Sequence, residues 1–161
     1  MSAASASFPS ERSRAFRAIL WGGLMAGAFD IIFAFVFYGL KGSTPIRILQ
    51  SVASGLLGKD AFNDGTGTAA LGMVCHFLIA FGAAAVYYAA SRSLRFLVRR
   101  AVVCGLLYGI LVYLFMNFVV LPLSAIPFKP SYPLDTLLIG IAGHMLLIGL
   151  PISLATRRYS N

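Results

Sequence analysis

Four apolar runs, Ala18–Leu40, Ala69–Ala90, Ala101–Leu121 and Leu134–Ala155, limit what this chain can fold into. Each is about 20 residues or longer, enough to cross a hydrocarbon core of ~30 Å as a helix. No water reaches backbone N–H and C=O groups in that core, so each run must close its hydrogen bonds internally. Charged residues form 11% of the chain and mean hydropathy is +0.85, whereas a water-soluble domain carries roughly 25% charged residues. The sequence therefore predicts an all-α polytopic membrane protein, with a four-helix transmembrane domain over residues 17–161. Residues 1–16, small, polar and basic, are expected to be a disordered cytoplasmic tail. The first run exceeds the about 7–15 apolar residues of a cleaved signal and contains Asp30, so it is expected to remain as a span.

The net charge of +8 is unevenly placed. Arg12, Arg14 and Arg17 precede the first span, Arg92, Arg95, Arg99 and Arg100 separate the second from the third, and Arg157 and Arg158 follow the fourth. The other two loops set Lys41, Arg47, Lys59 and Lys129 against Asp60, Asp64 and Asp135. This positive-inside pattern predicts cytoplasmic termini. It assigns the basic excess to contact with anionic lipid headgroups and away from nucleic acid.

A hairpin pattern occurs twice. Gly72-Met-Val-Cys-His76 reads against Gly140-Ile-Ala-Gly-His144, with Thr68 matching Thr136 and Leu78 matching Leu146. Upstream, Arg17, Gly22, Leu24 and Phe35-Val36 align with Arg100, Gly105, Leu107 and Phe118-Val119. Two parallel hairpin repeats are expected, related by an axis along the membrane normal. The longer loop of the first hairpin predicts a short amphipathic helix, capped by Thr44 and started by Pro45. Its apolar face would be Ile46, Leu49, Val52, Ala53 and Leu56, opposite Arg47, Gln50 and Ser54. Such a helix is too short to span and either lies at the outer surface or dips between helices. The second outer loop, Pro122–Pro133, holds four prolines, Pro122, Pro127, Pro130 and Pro133, and is expected to be extended. Trp21, Phe37, Tyr38, Tyr87, Tyr88, Tyr132 and Tyr159 are expected as interfacial anchors. Cys75 and Cys104 fall near opposite membrane faces, beyond disulfide reach.

Each span carries a stripe of small residues that lets helices approach closely in lipid. The stripes contain Gly23 and Gly27, Gly72, Gly105 and Gly109, and Gly140. Asp30, His76, Tyr113, Asn117 and His144 share those faces, which predicts a polar bundle interior. Asp30 and His144 fall near mid-depth, with His76 and Asn117 on the outer approach. A central aspartate costs ~2.5–3.5 kcal/mol on insertion, and such groups mark ion or proton pathways as a default. A proton shared between Asp30 and His144 would offset that cost. The alternative for each polar group is a hydrogen bond that sets helix register. Bis-histidine haem ligation by His76 and His144, or a metal held by both with Asp30, are further readings. No His-x-x-x-His or Glu-x-x-His spacing accompanies them, so neither a cofactor nor a metal is assigned.

Enzymatic signatures are missing. Phe62 and Leu71 spoil a calcium loop beginning at Asp60, Gly55–Lys59 is too short for a phosphate loop, and no Gly-x-Ser-x-Gly, Cys-x-x-Cys or His-Glu-x-x-His occurs. The layout of Gly105–Leu123, with Leu121-Pro-Leu123, and of Gly140–Leu146 resembles the YagU-like bacterial inner-membrane proteins of no assigned activity. The likeness covers about a third of the chain, and this chain lacks the larger outer loop of that group. The resemblance implies a bacterial inner-membrane location and supplies no catalytic residues. Two functions are expected from the residues: a small proton- or cation-linked transporter or channel-like protein, plausibly a homodimer, or a non-enzymatic accessory or assembly subunit. A membrane redox protein using the two histidines is a third.

Overall fold

The computed structural model describes residues 10–129, 131 and 133–160. Four of its helices are long and apolar enough to cross a membrane: α1 (Glu11–Gly39), α3 (Gly65–Ser93), α5 (Ala101–Leu123) and α6 (Leu134–Ser160). Two shorter helices join them, α2 (Pro45–Leu57) and α4 (Phe96–Arg99). No strand occurs among the described residues. The chain is thus an all-α, multi-pass membrane protein.

The helices outrun the apolar runs because polar chemistry closes their ends. Ser10 caps α1 by accepting from the Ser13 N–H at 3.3 Å, and Glu11 suits the positive end of the helix dipole. Glu11–Phe16, expected as tail, are therefore the first turns of a helix; residues 1–9 of that tail lie outside the described residues. At the other pole, Arg92 closes α3, and Arg157 and Arg158 close α6.

Neighbouring spans run antiparallel. Gly22, Gly23 and Gly27 of α1 face Ala84, Phe81 and Phe77 of α3, while Gly22 also meets Ile152 and Gly143 meets Phe33 across α1 and α6. On the far side, Gly105, Gly109 and Tyr113 of α5 face Ser153, His144 and Gly140 of α6. Both described chain ends and Arg92–Arg100 thus share one end of the bundle, hereafter the terminal end; the two longer loops share the other, the loop end. At the terminal end Arg92 pairs with Glu11 at 2.6 Å. At the loop end the Lys41 ammonium donates to Thr136 Oγ1 at 3.1 Å.

Packing is tightest toward the terminal end. Ala26, Ala84, Tyr87, Cys104, Ile148 and Ile152 form the buried core. Two hydroxyls lock it: Tyr108 donates to the Ala83 carbonyl at 2.7 Å and Tyr87 to the Leu97 carbonyl at 3.1 Å. Tyr87 and Tyr88, expected at the interface, are instead 1% and 7% exposed. The Tyr87 phenol takes the linker backbone as its partner, whereas the Tyr88 hydroxyl is buried without a hydrogen-bond partner. Cys75 and Cys104 are both free thiols.

The helix in the first loop forms over the expected residues, with Thr44 Oγ1 accepting from the Arg47 N–H at 3.3 Å and Pro45 in its first turn. Gln50 and Ser54 of its polar side turn inward together with Ala53, Leu49 and Val52 of its apolar side, and Arg47 stays exposed. Gln50 and Ser54 are 4% and 0% exposed, while Ile46 and Leu56 are 45% and 66% exposed. The amide of Gln50 donates to the Gly65 carbonyl at 2.9 Å and to Thr68 Oγ1 at 3.4 Å. The Gly65 carbonyl and Thr68 belong to the first turn of α3, so Gln50 holds this side of α2 against α3. This arrangement suits a helix sunk among the spans better than one lying at a water surface. Gly72 makes it possible: a Cβ there would overlap the Leu49 carbonyl of α2. Gly72 itself thus serves α2, while His76 and Ala80 further along the same stripe meet Gly27 of α1. The far end of α2 is tied to α5 by the Ala125 N–H, which donates to the Gly55 carbonyl at 2.9 Å. Gln50→Leu should lower thermal stability by about 1–3 kcal/mol, since it removes two hydrogen bonds of a buried amide, each worth ~0.5–1.5 kcal/mol; a melting curve of the purified variant checks this.

The loop Pro122–Pro133 is only partly extended. Pro122 lies in the last helical turn of α5, just after its π turn, and Pro133 stands at the N-cap position of α6. Pro130 and Tyr132 lie outside the described residues.

Candidate functional site

Two cavities occupy the loop half of the bundle. The first cavity of the loop half measures 310 Å³ and lies between α1, α5 and α6. It runs from Lys129 and Ser131 in the second loop, past Tyr38 and Thr136, to Asp30, Tyr113, Asn117 and His144. The second measures 190 Å³ and lies at the bundle centre, under Val52 of α2. Its walls include Gly27, Asp30, His76, Met116 and His144. Asp30 and His144 line both, so they stand where the two meet. All five polar residues expected in the interior are therefore brought to one connected region. Toward the terminal end the region stops at Ala83 and Ile148, behind which lies the core locked by Tyr108.

The helices position these groups by small-residue contacts. Gly140 admits the Tyr113 ring against α6, and the Tyr113 ring in turn meets the His144 ring edge-on, with centroids 5.1 Å apart. Gly27 brings α1 close enough to α3 for its carbonyl to lie 2.9 Å from His76 Nε2. His144 Nδ1 lies 3.0 Å from the Gly140 carbonyl. A carbonyl only accepts, so each of these ring nitrogens is the donor and the other nitrogen of each ring is left as an acceptor. Asn117 donates its amide to the Tyr113 carbonyl at 2.9 Å.

A direct Asp30–His144 pair does not form: the ion pair among the described residues is Arg92–Glu11, and Asp30 makes no hydrogen bond with them. The two share the cavities and not a contact. At ~30 Å³ per water, the larger cavity has room for on the order of ten waters, enough to hydrate a half-buried carboxylate. No three His, Cys, Asp or Glu side chains converge as a metal-ligand set among the described residues. The expected set of Asp30, His76 and His144 is thus too spread to chelate one ion.

Both helices that carry the second half of the site contain a widened π turn, Met116–Val120 in α5 and His144–Gly149 in α6. Asn117 lies in one and His144 opens the other. Such turns free backbone groups from the regular ladder and recur at functional sites. The sequence gives no sign of them, and it also conceals the loop contributions of Lys129 and Val52, which come from segments with no helical register relative to the spans.

No protein-family model matches the sequence, and no match was found among curated proteins or solved structures.

Proposed function

We propose that this chain is a small proton- or cation-linked transport or channel-like protein, with Asp30 and His144 as its central polar groups. One observation carries this reading: the same carboxylate and imidazole line both cavities, at a depth of about nine to ten residues, or ~14 Å, from the loop end. Intramembrane ionisable groups facing cavities are by default ion or proton sites. Water in the cavities links Asp30 to His144, and the closed terminal half corresponds to a state open to the loop side.

The two hairpins, α1 with α3 and α5 with α6, are read as repeats. Their contacts support this: Gly22 faces Ala84 in the first and Gly105 faces Ser153 in the second, the aligned glycines meeting aligned positions within one residue. The basic terminal end supports a cytoplasmic location for both termini, and the likeness of Gly105–Leu123 and Gly140–Leu146 to YagU-like proteins supports a bacterial inner membrane. Exposed faces of the helices leave room for a second copy.

The test is ion flux in proteoliposomes holding a pH-sensitive dye, with an imposed potential. Wild type should pass protons or a monovalent cation well above empty vesicles, and Asp30→Asn should reduce that flux about tenfold or more while melting near wild type, a change of at least ~1.4 kcal/mol in the barrier. Flux equal to that of empty vesicles would sink the transport reading. The accessory-subunit reading would then stand, because both histidines already bond helix carbonyls and so serve packing.

A further inference from the structure

The terminal end carries a pocket that the central cavities do not explain. It measures 330 Å³ and is lined by Ser91, Arg92, Arg95, Val98, Arg99 and Ser160. We propose that it binds the phosphate of an anionic phospholipid headgroup. Three observations lead there, none depending on what the central cavities carry.

The first is charge. Among the described residues no carboxylate lines the pocket. Glu11 pairs with Arg92, whereas Arg95 and Arg99 have no ion-pair partner among the described residues. They stand four residues apart on one short helical turn, a like-charge spacing that costs about 0.2–0.5 kcal/mol unless an anion bridges it. Guanidinium forks match the oxygens of a phosphate in geometry as well as charge. The second is an orphaned hydroxyl. Ser160 Oγ is buried without a hydrogen-bond partner, although it belongs to the pocket wall. Buried polar atoms are almost always satisfied, so an orphan in a basic pocket marks the place of an acceptor not belonging to the chain. Ser91 adds a second buried hydroxyl, which donates to the Tyr88 carbonyl at 2.6 Å.

The third observation separates a lipid from a free phosphate. Leu94 and Phe96 flank Arg95 in the chain and are 46% and 53% exposed. Cations beside exposed apolar side chains, where spans leave the hydrocarbon, match a molecule that is anionic at one end and acyl at the other. Basic pockets between spans at the cytoplasmic face bind such headgroups.

The test compares the protein in nanodiscs of phosphatidylcholine alone and of phosphatidylcholine with phosphatidylglycerol, reading the melting temperature and, by native mass spectrometry, retained lipid. Wild type should melt several degrees higher with phosphatidylglycerol and retain it, as a ligand that binds only the folded form requires. Arg95→Gln with Arg99→Gln should lose both effects and melt like wild type in phosphatidylcholine. Arg157→Gln with Arg158→Gln removes equal charge from the same end but outside the pocket, and should keep both. If the two double variants lose the effect equally, the attraction is diffuse and the site is refuted. Inorganic phosphate added to phosphatidylcholine nanodiscs should change nothing; a matching shift would assign the pocket to free phosphate and overturn the lipid assignment. Should the glutamine pair fail to fold, Arg95→Lys with Arg99→Lys decides: charge kept without the planar fork should weaken retention, and undiminished retention counts against the site.

Discussion

Gly149→Val will melt far below wild type, or fail to yield a monodisperse species at all. A Cβ at Gly149 would overlap the Gly105 carbonyl oxygen and fall 2.5 Å from the Gly109 backbone nitrogen. Both obstacles are backbone of α5, so no side chain can rotate aside and the two helices must separate. Gly105 and Gly109 face the same seam from the other side, meeting Gly149, Ser153 and the His144 backbone. Overpacking typically costs about 1–3 kcal/mol and more where backbone must shift, out of a total stability of about 5–15 kcal/mol. Separation would also strip close van der Waals contact from a lipid-embedded pair that has little else to hold it. Gly82→Ala is the matched control. Nothing lies within 4 Å of a Cβ at Gly82, and alanine gains roughly 0.5–1 kcal/mol over glycine in a helix. That variant should melt at or above wild type. If Gly149→Val melts with it, the α5–α6 seam is not what holds the bundle.

Gly72→Val will lift α2 from α3 and uncover the central cavity. The added Cβ overlaps the Leu49 carbonyl and lies 3.3 Å from the Ala53 nitrogen. Here the obstacle is the backbone of a short helix tethered at both ends by loops, which can move without unfolding the spans. Val52 is the useful reporter, because it covers the cavity that holds His76, Asp30 and His144. In a background with Cys75 and Cys104 replaced, Val52→Cys should react slowly with a membrane-impermeant maleimide. Adding Gly72→Val should speed that reaction roughly 5- to 150-fold, the change in opened population that corresponds to about 1–3 kcal/mol of overpacking. The melting temperature should fall much less than for Gly149→Val. Unchanged labelling would mean that α2 does not cover the cavity.

Much of the bundle could be read from residues alone, because the bilayer leaves few choices. Span number followed from run length, and the interior face followed from glycines at helical spacing. Gly23, Gly27, Gly105, Gly109 and Gly140 do meet neighbouring spans or rings, and Asp30, His76, Tyr113, Asn117 and His144 do meet around connected cavities. What escaped was whatever depended on a partner not next in sequence. The pattern of α2 leaves open whether it lies at the surface or dips inward, because the partners of Gln50, the Gly65 carbonyl and Thr68, come from the next span. Tyr87 and Tyr88 were set at the interface from position alone, though Tyr87 reaches the Leu97 carbonyl of a linker that curls over the terminal end. The direct Asp30–His144 pair failed because a depth estimate gives height along a helix and not the azimuth between two helices. The π turns at Met116–Val120 and His144–Gly149 shift that azimuth further, since each departs from the 3.6-residue period on which any helical wheel rests.

The inward polar face of α2 also dictates an order of synthesis. When α2 leaves the ribosome α3 has not yet been made, and neither the Gly65 carbonyl nor Thr68 exists for Gln50 to bind. Its final tether, from Ala125 to Gly55, must wait until α5 has been made. The loop after the first span therefore remains at the water boundary while the rest of the chain is inserted. It is seated last, as a closing step of assembly, with Ile46 and Leu56 left facing outward.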